Sequence, residues 1–277
     1  MPTPGERFDE LVRIMATLRG PQGCPWDREQ TLGSLRPFLL EETYEALEAL
    51  DRGDLDSLRE ELGDLLFEIV FLARIAEEGG HFSVGDAAAD VGAKLVRRHP
   101  HVFGDHARLK TAEEVRGKWE ELKAAERGEG AKGAEGGKTL LGGVPRTLPG
   151  LLRAYEYGSR AAAVGFDWVR AADVIGKIEE EVRELREELS NSAQAGEAER
   201  AQRVEEEMGD LLFAIANLSR KLGVEPEAAL RRANDKFQAR FTAVESRVVG
   251  RGEKLQDQTL DELEEEWRAV KREALDS

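Results

Sequence analysis

The feature that most constrains the fold is an internal repeat. The segment ELGDLLFEIVFLAR at residues 61–74 matches EMGDLLFAIANLSR at residues 207–220. An acid-rich segment precedes each copy, LEETYEAL in the first half and IEEEVREL in the second. A Lys-x-x-x-Arg element and then a Trp-x-x-x-Lys element follow each copy in the same order. Ordered matches over more than a hundred residues predict a tandem duplication of one structural module.

The module is predicted to be helical. Charged residues make up 35% of the chain and aromatic residues 6%, a composition that favours helices over sheets. Apolar residues recur at helical spacing, and no stretch shows the sustained alternation of a strand. The first such stripe consists of Phe8, Leu11, Val12, Met15 and Leu18. We therefore predict an all-α protein built from two copies of one helical domain.

A glycine-rich segment separates the two copies. The sequence ERGEGAKGAEGGKTLLGG at residues 126–143 has few large apolar side chains until its end, which is typical of a flexible linker. We predict an N-terminal domain at residues 1–125, a linker at 126–147 and a C-terminal domain at 148–277.

Net charge and cysteine content limit the partners. The chain has 56 acidic and 40 basic side chains, for a formal charge of −16. Nucleic-acid backbones and anionic membranes both require a cationic surface, so we expect neither as a partner. The one cysteine indicates a reducing compartment, and no apolar run approaches the ~20 residues of a membrane span. We expect a cytoplasmic protein.

Four acids in each half occupy positions where a helix should be apolar. Glu42 and Glu45 are three residues apart and continue the apolar stripe of their helix. Glu61 and Asp64 repeat the spacing on the next helix. The acids of the second half are Glu181, Glu184, Glu207 and Asp210. Acids facing a packing surface are costly unless they are protonated, paired or bound to a cation.

Carboxylates from neighbouring helices suit hard cations, so we predict Mg²⁺, with Mn²⁺ as the alternative. Zinc would require His or Cys at ligand spacing. A di-iron bundle would require Glu-x-x-His on two helices, and only Glu78 and His81 show that spacing. Other acids are interpreted as solvated helix surface, namely Glu187, Glu188, Glu205 and Glu264 to Glu266.

Basic and aromatic side chains follow the acids in both halves. Lys236 and Arg240 lie one helical turn apart, as do Trp267 and Lys271. Taken singly, such residues are usually surface charges or core aromatics. Beside an acidic metal site they indicate a polyphosphate site, because cations neutralise phosphate charge and an indole can stack on a base. The N-terminal counterparts are Lys94, Arg98, Trp119 and Lys123.

These motifs resemble the MazG family of nucleoside triphosphate pyrophosphohydrolases in its two-domain form. The resemblance runs from GCPWDREQT through RRHPHVF to VGFDW and KFQARF, and its specific part is the paired E-E-x-x-E and E-x-x-D motifs. It implies four-helix-bundle modules that dimerise. It also implies Mg²⁺-dependent hydrolysis of nucleoside triphosphates, canonical and aberrant, to nucleoside monophosphate and pyrophosphate.

The resemblance also implies roles for individual residues. Carried over by position, the two acid tetrads bind metal, Trp267 contacts the nucleotide and four cations hold phosphates: Arg203, Lys236, Arg240 and Lys271. The resemblance implies that the main catalysis lies in the C-terminal half. Ser57, at the N-terminal position equivalent to Arg203, agrees with this, although the N-terminal half keeps its acid tetrad and its activity stays open. Water would attack the α-phosphorus in line, oriented by Glu181 or Glu184.

Two alternatives remain open on the sequence. One is a narrower hydrolase that acts on dUTP or damaged nucleotides, since substrate choice depends on pocket contacts. The other is a non-catalytic helical dimer that binds nucleotides through its acidic faces.

Overall fold

The computed structural model describes residues 1–104, 111, 114–115, 139–190 and 196–276, and the chain divides into two compact units, Met1–Ala125 and Glu126–Ser277. No β-strand occurs in these described ranges, so the all-α prediction is confirmed. None of the helices in this part of the chain is long and apolar enough to cross a membrane. Most of the predicted linker lies outside the described residues, as do Trp119 and Lys123.

Six helices form the described part of the N-terminal unit. They are α1 (Pro4–Leu18), α2 (Pro25–Glu29), α3 (Arg36–Arg52), α4 (Leu55–Glu78), α5 (Val84–Arg98) and α6 (Pro100–Phe103). Gly53 ends α3 in the left-handed conformation, at φ 68°, which a residue with a Cβ adopts only at a cost. Asp54 then caps α4 by accepting from the backbone N–H groups of Asp56 and Ser57. This two-residue turn folds α3 back onto α4.

The apolar faces of these helices meet in one core. Met15 of α1, Val70 and Phe71 of α4 and Leu35 before α3 are fully buried there. Met15 belongs to the stripe predicted on the first helix. Because α3 and α4 are packed against each other along this core, acids on their adjoining faces are brought together.

The C-terminal unit repeats the α3–α4 arrangement. Its helices are α7 (Gly150–Ala162), α8 (Ala171–Ser190), α9 (Glu197–Lys221), α10 (Pro226–Gly250) and α11 (Leu260–Asp276), with a 3₁₀ turn at Leu255–Asp257. Helix α8 packs on α9 as α3 packs on α4, and α7 also packs on α9. Helices α10 and α11 meet around Val244, Val248 and Val270, with Trp267 packed against this cluster.

Helices α7 and α9 approach closely at Gly158. A Cβ at this position would lie 2.2 Å from Oδ1 of Asn217. Asn217 is buried, and its Nδ2 donates to the backbone oxygen of Phe213. On the same side of α9, Asp167 pairs with Arg220 and Lys221. These contacts hold α7 and the following loop against α9.

Candidate metal centres

One cluster of carboxylates lies between α8 and α9 and is called here the C-terminal acid group: Glu181, Glu184, Glu207 and Asp210. One carboxylate oxygen each from Glu181, Glu207 and Asp210 lies within 4.8 Å of the other two. Glu181 is only 3% exposed, Glu207 is half-buried and Asp210 is exposed. Glu184, one turn after Glu181, lies outside this trio. Burial raises the pKa of Glu207, and the charges of Glu184 and Glu181 raise it further. Three predicted acids are therefore brought together, and the fourth is close enough to act on them.

Lys177 belongs to this group but was missed from the sequence. Its Nζ lies 2.7 Å from Oε1 of Glu181 and 2.9 Å from Oε1 of Glu180. Hydrogen bonds to Glu181 and then Glu180 raise the pKa of Lys177. The available signal was a lysine four residues before a buried glutamate, a spacing that puts both on one helix face.

Arg203 lies on α9 and pairs with a residue of α8. Its Nε donates to Oε2 of Glu188 at 2.7 Å. The interpretation of Glu188 as a simply solvated acid was therefore wrong, because the α8–α9 hairpin brings a guanidinium against it. The N-terminal counterpart of Arg203, Ser57, instead donates its hydroxyl to Asp54 at the start of α4.

The corresponding cluster between α3 and α4 is called the N-terminal acid group: Glu42, Glu45, Glu61 and Asp64. One carboxylate oxygen each from Glu42, Glu45 and Glu61 lies within 4.8 Å of the others. Burial raises the pKa of Glu42, followed by the charge of Asp64 and then that of Glu45. Burial and then the charge of Glu45 raise the pKa of Glu61. All four predicted acids of this half thus interact.

A fifth acid, Glu68, adjoins the N-terminal acid group. It is only 5% exposed, and its Oε2 is buried without a hydrogen-bond partner. Burial raises the pKa of Glu68, with further contributions from the charges of Glu42 and Asp64. The sequence prediction overlooked Glu68, although an acid inside the otherwise apolar run LLFEIVFLARIA was a visible signal.

The predicted phosphate and base contacts lie on α10 and α11. Lys236 and Lys271 are exposed, and Arg240 is half-buried. The ring of Phe237 lies 5.3 Å from that of Trp267 between centroids, so the aromatic face adjoins the helix that carries Lys236 and Arg240. Within the described ranges, no hydrogen bond or ion pair joins these three cations to the C-terminal acid group. Lys94 and Arg98 lie on α5 of the N-terminal unit.

Both groups suit a hard divalent cation. Each supplies at least three carboxylate oxygens at mutual distances that one ion can bridge. Neither contains His or Cys among the described residues, so the donors are carboxylate oxygens, which hard divalent cations prefer. The raised carboxyl pKa values in the two groups have the same causes, burial first and then the charges of the neighbouring carboxylates.

Comparison with known proteins agrees with this duplicated arrangement. The MazG nucleotide pyrophosphohydrolase domain matches the chain twice, at residues 30–103 and 172–244. The chain belongs to the MazG family. Each MazG match contains one complete acid group, which confirms the duplication inferred from the repeat. The second match also contains Lys236 and Arg240, whereas Trp267 and Lys271 lie beyond it.

Two relatives match the chain over nearly its full length. A protein of Escherichia coli (strain K12) named nucleoside triphosphate pyrophosphohydrolase is 45% identical over 98% of this chain and 99% of its own length. A protein of Thermotoga maritima named nucleoside triphosphate pyrophosphohydrolase/pyrophosphatase MazG is 42% identical over 98% of each chain. The similarity therefore covers both domains and is not limited to one motif.

Proposed function

We propose that this protein hydrolyses nucleoside triphosphates to nucleoside monophosphate and pyrophosphate with Mg²⁺, chiefly in its C-terminal MazG domain. The observation that carries the proposal is the C-terminal acid group, in which Glu181, Glu207 and Asp210 converge beside Lys177. Full-length relatives named for this activity support it. The protein is expected to act in the cytoplasm, with nucleotides and neither nucleic acid nor membranes as partners.

Carboxylates and cations have separate roles in this proposal. Glu181, Glu184, Glu207 and Asp210 would hold the metal, which when bound lowers the pKa of water and offsets phosphate charge. Five cationic side chains would hold the triphosphate: Lys177, Arg203, Lys236, Arg240 and Lys271. The guanidinium groups can bind two phosphate oxygens at once, whereas the ammonium groups act as point charges.

The reaction is an in-line displacement at the α-phosphorus. Water forms the new bond to phosphorus while the bond from this phosphorus to the α–β bridging oxygen breaks, and pyrophosphate leaves. Glu181 or Glu184 would orient the attacking water and accept its proton. Lys177 already contacts Glu181, so it is positioned to hold a phosphate close to that carboxylate.

The nucleoside is proposed to contact Trp267. Phe237 adjoins the indole, and the residue is more than half exposed. An aromatic face accepts any base, because every base has a stacking surface. This arrangement supports a broad nucleotide preference rather than one base.

The N-terminal MazG domain differs in its cations. Phe38 stands four residues before Glu42, where the C-terminal domain has Lys177 before Glu181. Ser57 replaces Arg203. With two fewer cations to neutralise a triphosphate, the N-terminal acid group is a poorer substrate site, so we assign turnover mainly to the C-terminal domain.

A homodimer is part of the proposal. Helix α9 exposes several large apolar side chains next to the acid group: Met208, Leu212, Phe213 and Ile215. Leu212 and Phe213 also line a cavity of about 610 Å³ between α7, α9 and α10. A second copy that covers this face would remove these side chains from water, which is the main favourable term in stable association.

The decisive experiment identifies the products. The protein is incubated with NTPs, dNTPs and dUTP in ¹⁸O-labelled water, with and without Mg²⁺. We expect Mg²⁺-dependent monophosphate and pyrophosphate, with the label in the monophosphate. Nucleoside diphosphate, label in pyrophosphate, or no turnover would contradict the proposal, and turnover of dUTP alone would narrow it.

A matched pair of variants assigns the site. Asp210→Asn and Asp64→Asn remove the same charge at equivalent positions of the two domains. Turnover should fall by at least a hundredfold in Asp210→Asn, the order of loss seen when one strong electrostatic contact is removed from an active site, about 10²–10³. An equal loss in Asp64→Asn alone would assign the chemistry to the N-terminal domain.

A further inference from the structure

The side chain of Glu68 requires an explanation that the four predicted N-terminal ligands do not give. Its Oε2 is buried and accepts no hydrogen bond, and the residue is 5% exposed. A buried carboxylate without a donor is costly unless it is protonated or bound to a cation. No ion pair in the described part of the chain supplies Glu68 with a Lys or Arg.

Helix register places Glu68 with the N-terminal acid group. Glu61, Asp64 and Glu68 are three and four residues apart on α4, so they project from the same face. Glu42 reaches them from α3, and its charge acts on Glu68. The buried carboxylate therefore lies at the inner end of the acidic face, where the helix pair excludes water.

The C-terminal domain has a different composition at the same positions. Ala214 stands in the register of Glu68, 146 residues further along the repeat, and is buried. Lys177 adds a positive charge at the position where the N-terminal domain has Phe38. Among the described residues, the N-terminal acid group with Glu68 has five carboxylates and no ammonium group, whereas the C-terminal acid group has four carboxylates and the ammonium group of Lys177. The N-terminal acid group therefore attracts a cation more strongly, while the C-terminal group is better matched to a cation that arrives with phosphates.

We propose that Glu68 is a fifth ligand of the N-terminal acid group, and that this group retains a hard divalent cation in the absence of nucleotide. Glu42, Glu45 and Glu61 each bring one oxygen within 4.8 Å of the others. Asp64 and Glu68 lie outside this trio and would supply further ligands of Mg²⁺ or Mn²⁺, with waters in the remaining positions. The retained ion would neutralise Glu68 and tie α3 to α4. The inference extends the proposed metal centres to an unpredicted residue and does not depend on turnover.

The test measures Mn²⁺ binding to the full-length protein without nucleotide. The parent variant is Asp210→Asn, which disables the C-terminal group, and free Mn²⁺ is followed by electron paramagnetic resonance. We expect one tightly bound equivalent in the parent. Adding Glu68→Gln should weaken binding by about tenfold or more, the range seen when metal-site residues are altered. The matched control is Glu77→Gln, an exposed acid of the same helix that pairs with Arg74, and it should bind as the parent does.

Thermal unfolding provides a second readout. With EDTA, Glu68→Gln should unfold at or above the parent's temperature, because the unpartnered carboxylate is gone. With Mn²⁺, the parent should gain stability and Glu68→Gln should gain less. Glu68→Ala reproduces Ala214 of the other domain and serves if the glutamine variant folds poorly.

Two results would overturn the inference. One is a parent that binds no Mn²⁺ without nucleotide. The other is unchanged Mn²⁺ affinity in Glu68→Gln or Glu68→Ala, which would make Glu68 an ordinary buried, protonated acid. Failure of the proposed function would be seen separately, as full turnover in Asp210→Asn.

Discussion

Lys177 illustrates how one residue distinguishes two copies of the same helix pair. Its Nζ contacts both Glu180 and Glu181, so a positive charge is held at the edge of the C-terminal acid group. In the N-terminal domain the same position carries Phe38, whose ring packs against the core. One copy therefore has a cation for phosphates, and the other has an additional apolar contact.

Replacement of Lys177 should weaken nucleotide turnover. Lys177→Met keeps the length of the side chain and removes the charge, so kcat/KM for ATP should fall about tenfold, equivalent to about 1.4 kcal/mol. The control is Lys254→Met, which changes an exposed lysine before the 3₁₀ turn. Steady-state assays that give the same kcat/KM for both variants would remove Lys177 from the phosphate site.

For individual residues, the sequence predicted the acidic site residues better than the basic side chains that pair with acids. Glu42, Glu61, Glu181 and Glu207 stood out because they interrupt apolar stripes, which is a local property. Glu188 was misjudged because its partner Arg203 lies fifteen residues further on and reaches it only because α8 and α9 pack against each other. The binding and catalytic roles of the predicted site residues stay predictions.

Between elements, the decisive features are close helix contacts. Helices α3, α4, α8 and α9 were predictable from apolar spacing and from the repeat. Their exact partners were not, because a contact such as that of Gly158 with Asn217 joins residues of α7 and α9 that are far apart in the sequence. A single glycine in a helical pattern gives no sign of which helix will approach it.

Gly158→Ala should destabilise the C-terminal unit by about 1–3 kcal/mol, the usual cost of overpacking. The added Cβ would displace the Asn217 side chain and strain its contacts with Phe213 and Arg220. Gly176→Ala is the matched control on α8, where a Cβ meets no atom within 4 Å. The control should be neutral or stabilising by up to about 1 kcal/mol. Urea unfolding followed by circular dichroism compares them, and equal midpoints would contradict the close approach.

Over the whole molecule, the acid excess has two components. Some acids form surface ion pairs, such as Glu10 with Arg7, and contribute little to stability. Others converge in the two acid groups without enough cations. An acidic protein can nevertheless hold a triphosphate, because bound divalent cations reverse the local charge.

This convergence predicts a pH dependence of stability without metal. The pKa values of Glu42, Glu61, Glu68 and Glu207 are all raised above the ordinary value of 4.5. The folded protein therefore holds these protons more tightly than the unfolded chain does. Their contribution to stability is fully present below pH 4.5 and is lost as the pH rises through the raised values.

Thermal unfolding in EDTA between pH 4.5 and 7.5 measures this effect. The unfolding temperature should fall with rising pH, and saturating Mn²⁺ should reduce or reverse the fall. Other carboxylates have lowered pKa values. Burial raises the pKa of Asp167, but Arg220 and Lys221 together lower it by more. The contribution of such groups to stability is lost only below this pH range. A profile in EDTA that stays flat would contradict the shifts.

The internal repeat also has a consequence for how much of each acid group a cell contains. Both copies come from one reading frame, so every translated chain carries one of each, at any level of expression. Two separate genes could be expressed at different levels, but here the two acid groups are part of one chain, so they are made in a ratio of one to one. A cell that makes more of the proposed hydrolase must make equally more of the five-carboxylate group, and its demand for divalent cations rises in step.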